Sequence, residues 1–121
     1  MIKTIGEIML YVNDIEKSMK FWKEKMEFKK IEKTSFGTYK IAPNENDDVY
    51  FVLQDKNKIA KMNPNFIMNN PSILMQAEHL EEIYDKLLKN GVNVNPITMM
   101  GNMKTFNFSD EEENYFAIRE I

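Results

Sequence analysis

The chain has 121 residues, 43% of them hydrophobic and 29% charged, a balance that fits one compact globular domain and excludes a disordered chain. Sixteen basic residues against nineteen acidic ones leave a net charge of −3, and no basic block supplies the positive field that nucleic acid binding requires. Cysteine is absent, which removes disulfides and thiolate chemistry, and no apolar run approaches the roughly 20 residues of a membrane span.

Residues 5–12 alternate, so Ile5, Glu7, Met9 and Tyr11 share one strand face while Gly6, Ile8, Leu10 and Val12 share the other. The second face is small and aliphatic and is expected against a helix. The sequence runs straight into this strand without a signal-peptide layout, so a cytoplasmic location is expected. Asn13 and Asp14 then offer short acceptor side chains for a helix N-cap. The helix is predicted over residues 15–26, with Ile15, Met19, Trp22 and Met26 on its buried stripe. Residues 28–34 and 38–42 read as a hairpin with Gly37 at its turn, and residues 49–54 as a further strand. Residues 55–71 mix lysine, asparagine and two prolines and read as an irregular connection with some character of a lid.

From Ser72 the pattern restarts. Residues 72–77 form a strand, Glu78 and His79 fall where Asn13 and Asp14 fell, and Leu80, Ile83, Tyr84, Leu87 and Leu88 mark a helix face. Asn90 and Gly91 close that helix, and residues 92–94, 97–100, 104–109 and 115–119 are strands. Aligning Val12 with Ala77 and Trp22 with Leu87 gives an offset of about 65 residues, which makes the chain two copies of one β-α-β-β-β unit. The fold expected is α+β: two βαβββ modules, about 1–55 and 72–121, whose sheets form a cup-shaped half-barrel with helices on the outer faces, in a single domain over residues 1–121.

The run Tyr11-Val12-Asn13-Asp14, the Ser18 and Phe21-Trp22 of the first helix, the strand at residues 72–77, Lys89-Asn90-Gly91-Val92, and Phe108-Ser109-Asp110 leading to Asn114-Tyr115-Phe116-Ala117-Ile118-Arg119-Glu120 resemble the vicinal oxygen chelate superfamily. That superfamily includes glyoxalases, bleomycin-resistance proteins, fosfomycin-resistance enzymes and extradiol dioxygenases. In its metalloenzymes, His or Glu side chains on four strands hold a divalent ion. By resemblance those positions are Glu7, Val52, Ser72 and Ala117, of which only Glu7 suits a divalent metal. No metal or other cofactor is therefore expected, a divalent ion being the alternative. The resemblance also implies a homodimer. The closing turn departs from the family, with Glu111 and Glu113 where proline and glycine are usual.

Strand parity lines the expected cup with Glu7, Met9, Tyr11, Tyr50, Val52, Gln54, Ser72, Leu74, Gln76, Tyr115, Ala117 and Arg119. Apolar and aromatic walls with a few polar groups are how small-molecule sites are built; a cup filled by its own side chains is the structural alternative. Glu7 is the candidate catalytic residue. Desolvation in an apolar cup raises the pKa of a carboxyl group unless a cation offsets it, which suits a general base or a ligand anchor. Its structural alternative is a pair with Arg119, or a hydrogen bond with Tyr11 or Gln76. His79 is expected in a capping or surface role, and residues 110–113 as a solvated acidic turn without the glycine or spacing of an EF-hand. The leading expectation is a metal-free glyoxalase/bleomycin-resistance-like protein holding a small, partly aromatic or cationic molecule. The alternatives are a metal-dependent lyase or dioxygenase, separable by metal analysis; a metal-free isomerase with Glu7 as base, separable by Glu7→Gln; and a protein-interaction module.

Overall fold

A computed structural model describes residues 1–121. It has mixed α+β architecture, with nine strands in two sheets and three helices. The chain divides into two compact units, Met1–Asn70 and Pro71–Ile121.

In the first unit, β1 (Glu7–Val12), β2 (Lys30–Lys33), β3 (Tyr39–Ala42) and β4 (Tyr50–Asp55) form a sheet in the order β1-β4-β3-β2. β1 pairs with β4 in parallel, Glu7 opposite Tyr50 and Val12 opposite Asp55, and the remaining pairs are antiparallel. The aliphatic face of β1 behaves as its pattern requires, because Leu10 and Val12 are buried. α1 (Ile15–Lys20) starts at Asp14, whose side chain accepts from the Lys17 amide at 3.0 Å.

The first helix departs from expectation in its second half, where Phe21–Lys25 is π-helical and the Met26 amide bonds back to the Phe21 carbonyl. The buried residues are Ser18, Phe21 and Trp22 rather than the even stripe through Ile15, Met19 and Met26. The wider turn changes the angular step after Lys20, so a 3.6-residue period no longer tells which side chains face the sheet. Trp22, with no exposed surface, has the rings of Phe21, Phe28 and Phe51 around it at centroid distances of 5.3, 4.9 and 5.6 Å.

Residues 55–71 are not an irregular connection throughout. They begin with α2 (Lys56–Met62), whose N-cap Asp55 accepts from the amides of Asn57 and Lys58. Further on, the Phe66 ring meets that of Tyr11 at 6.0 Å, and the Asn70 side chain bonds both the amide and the carbonyl of Tyr11. The segment thus folds onto the first unit.

The second unit repeats the plan. β5 (Leu74–Ala77), α3 (Leu80–Lys89), β6 (Asn93–Val94), β7 (Thr98–Met100), β8 (Met103–Ser109) and β9 (Tyr115–Glu120) follow in order. The sheet runs β5-β9-β8-β6, with β7 also on β8, and β5 lies parallel to β9 as β1 does to β4. β5 begins at Leu74 rather than Ser72. Pro71 has no amide to donate, and Ser72 is exposed ahead of the first pairing contact, the Ala117 amide on the Ile73 carbonyl. Phe106, Phe108, Phe116 and Ile118 bury one sheet face together with Leu80 and Leu87 of α3. Gly91 has φ +83°, and the Val92 and Gly91 amides close the helix on the Leu87 and Leu88 carbonyls, the bond pair that a left-handed residue permits.

His79 takes the N-cap position of α3 but does not cap it. Its φ is +55° and its side chain makes no capping bond. The first helical amide, that of the buried Leu80, is instead met by Glu120 Oε2 at 3.0 Å.

Candidate functional site

The face of the first sheet away from α1 is polar where the other is aliphatic. By alternation it carries Glu7, Met9 and Tyr11 of β1, Tyr50, Val52 and Gln54 of β4, and Lys40 of β3, which pairs with Val52. A cavity of about 590 Å³ lies on this side of the unit. Its floor is Glu7, Lys40, Val52, Gln54 and Asp55, with Ile15 from the start of α1. Two walls rise from it. One is the β2–β3 turn, Thr34, Ser35, Phe36, Gly37 and Thr38; the other is α2, through Lys58, Ile59 and Met62. Phe36 and Met62 are 85% and 82% exposed, so neither is held by packing and both are free to meet a ligand.

Of the residues expected from parity, Glu7, Val52 and Gln54 line the cavity, while Met9, Tyr11 and Tyr50 stand beside it. Glu7 Oε1 accepts a hydrogen bond from the Tyr50 hydroxyl at 2.9 Å, so its partner is its neighbour across the β1–β4 pair rather than Arg119, Tyr11 or Gln76. Gln54 Nε2 lies 3.3 Å from Met9 Sδ, and Tyr11 is turned to Phe66. Strand parity does not reach the walls, because α2 lies in a stretch with no apolar period. Lys40 was missed because the register of the hairpin is not written in its alternation.

The other expected residues belong to the second unit. Leu74, Gln76, Tyr115, Ala117 and Arg119 share the sheet face opposite its phenylalanine core, with Leu74 opposite Ala117 and Gln76 opposite Arg119. Ser72 precedes that sheet. Arg119 Nε is buried without a hydrogen-bond partner. In the closing turn, Asp110 is buried and its carboxylate accepts from the Glu112 and Asn114 amides and from Asn114 Nδ2. That carboxylate is a turn lock, not a member of a solvated cluster.

The four positions that the family resemblance assigns to a divalent ion do not fit one. Val52 and Ala117 present only hydrocarbon, Ser72 is a weak donor, and no three His, Cys, Asp or Glu side chains are grouped to hold a metal.

Tyr39, on the face toward α1, donates its hydroxyl to both carboxylate oxygens of Glu16 at 2.9 Å. That bond, then burial and the Glu16 charge, raise the Tyr39 pKa above its usual 10.0.

Comparison with known proteins agrees with this fold. The sequence pattern of the Glyoxalase/Bleomycin resistance protein/Dioxygenase superfamily matches residues 4–118. An uncharacterized protein of Bacillus subtilis (strain 168), YetH, is 30% identical, the match covering 99% of this chain and 100% of YetH. Among solved structures, a superfamily member from Sphaerobacter thermophilus superposes with a TM-score of 0.83 at 20% identity, covering 99% of this chain and 98% of that one. TnmS3, an antibiotic binding protein from Streptomyces sp. CB03234, gives 0.78 at 21% identity, covering 98% and 96%. A fosfomycin resistance protein from Listeria monocytogenes gives 0.72 at 15%, covering 100% and 95%. The chain belongs to the glyoxalase/bleomycin resistance protein/dioxygenase superfamily.

Proposed function

We propose that this protein binds a small organic molecule with a substantial apolar part, without a metal, in the cavity of its first unit. The observation that carries this reading is the cavity itself. Its volume of about 590 Å³ falls in the range of small-molecule sites, and its walls offer Ile15, Phe36, Ile59 and Met62 beside a few polar groups. The likeness to an antibiotic binding protein supports the same class of ligand. By the internal repeat, the corresponding face of the second unit, with Leu74, Gln76, Tyr115, Ala117 and Arg119, is a companion ligand-facing surface. A homodimeric state and a cytoplasmic location complete the proposal; no helix is long and apolar enough to cross a membrane.

The test is a thermal-shift screen of chelator-treated protein against aromatic natural-product drugs, followed by calorimetry. A compound that raises Tm should bind at least about tenfold more weakly to the double variant Phe36→Ala, Met62→Ala. Both side chains are exposed, so the variant should keep its stability within about 0.5 kcal/mol per site. Unchanged affinity in that variant, or binding only when metal is restored, would sink the reading.

A further inference from the structure

The charges lining the first unit's cavity are unequally committed, and, taken as the ligand site proposed above, this identifies the ligand's own charge. Both carboxylates are engaged: Glu7 with the Tyr50 hydroxyl, and Asp55 with the first amides of α2. The two ammonium groups, Lys40 and Lys58, have no carboxylate partner. Lys40 Nζ lies 5.3 Å from the centre of the Tyr50 ring, a contact that leaves its N–H donors available but holds it toward the Glu7 end. Lys58 Nζ lies 3.3 Å from the point that a Cβ on Gly37 would occupy, so this side chain reaches from α2 across to the β2–β3 turn.

The arrangement is also polarised along the sheet. Glu7 pairs with Tyr50, four residues before Gln54 and so about 13 Å from it along β4. The β2–β3 turn lies toward the Gln54 end, because Tyr39, the residue after it, pairs with Leu53. At that end donors predominate: the Lys58 ammonium, the Ser35 hydroxyl, and the Thr34–Thr38 pair, whose 2.6 Å bond uses only one of its two hydroxyl protons. Asp55 is the one carboxylate nearby, and its Oδ1 is already turned to the α2 amides.

We propose that the ligand carries an oxyanion, a carboxylate or phosphonate, which Lys58 binds at the hairpin end beside the Ser35 and Thr34–Thr38 hydroxyls while its apolar body lies on Phe36, Ile59 and Met62. The far end carries both signs, with Glu7 on the Tyr50 hydroxyl and the Lys30 and Lys40 ammonium groups against the Tyr50 ring. Because Lys58 is exposed, the attraction is moderate and screened by salt.

Three probes with one body separate charge from shape: 2-naphthylacetate, 2-(2-naphthyl)ethanol and 2-(2-naphthyl)ethylamine. Each is titrated at low salt and followed by the amide NMR shifts of residues 34–40 and 56–62. The carboxylate should bind about tenfold more tightly than the alcohol or the amine, with the advantage shrinking as salt rises. Lys58→Gln should erode that advantage while leaving the alcohol's affinity unchanged, and Lys40→Gln, at the other end, should erode it less. Equal affinities for all three probes, or a preference for the amine, overturn the charge assignment and leave the cavity reading standing. No saturable shift at those amides with any probe overturns the cavity reading and this one together.

Discussion

Three residues other than glycine hold a positive φ: Glu27 at +57°, His79 at +55° and Glu113 at +62°. A side chain with a Cβ is strained there by about 1–2 kcal/mol. Glycine removes the strain but loses more entropy on folding, so Glu113→Gly should stabilise the protein by about 0.5–1 kcal/mol in urea denaturation. The sequence had shown Glu113 where relatives usually have glycine, and the left-handed backbone gives that departure its physical meaning. Tyr39 makes a different prediction. Its folded pKa is raised, so the stability it contributes is complete below the unfolded value of about 10 and disappears as pH rises through the folded value. Tyr39→Phe should therefore flatten the loss of stability above about pH 10, and in the native protein one tyrosine should ionise later than its unfolded counterpart in an ultraviolet titration. An unchanged alkaline profile in Tyr39→Phe would show that the Glu16 bond has no such role. The Tyr39 bond is not legible in the sequence, because a Tyr–Glu contact 23 residues apart depends on how α1 lies on β3.

Each unit solves the capping of its helices differently, and the 65-residue offset makes the comparison direct. Asp55 and Glu120 are equivalent, as the residues that pair with Val12 and Ala77 at the ends of β4 and β9. In the first unit Asp14 caps α1, which releases Asp55 to start α2. In the second, His79 has no capping bond, and Glu120 reaches back to the Leu80 amide. Glu120→Ala should cost about 1 kcal/mol, while His79→Ala should stay within about 0.5 kcal/mol, both read from chemical denaturation. The reverse order would mean that the histidine, not the strand, secures α3. The repeat, the order of elements along the chain and the closing Gly91 were legible because they rest on local period and turn chemistry. The π-helical turn and α2 were not. A π turn breaks the period used to find a buried face, and α2 has no buried residue to give it one.

At the scale of the whole molecule, the duplicated plan was readable from the order of elements, and family membership follows from a match over residues 4–118. The site was readable only in part. Parity finds residues that share a sheet face, such as Glu7, Val52 and Gln54, but says nothing of a wall supplied by a helix or a turn. Large apolar side chains stay exposed, among them Leu74 and Tyr115 on the second sheet and Met99 and Met100 on β7. A homodimer that covers part of this surface should sediment at twice the chain mass at micromolar concentration, and a monomer at every concentration would contradict that proposal. The central claim is that the first unit's cavity is the ligand site. Its most direct test is a crystal structure with the first compound that raises Tm. The account predicts density for that compound between the β2–β3 turn and α2, touching Phe36, Ile59 and Met62 with its charged group at Lys58. A well-ordered ligand bound elsewhere, with this cavity left to solvent, would contradict it.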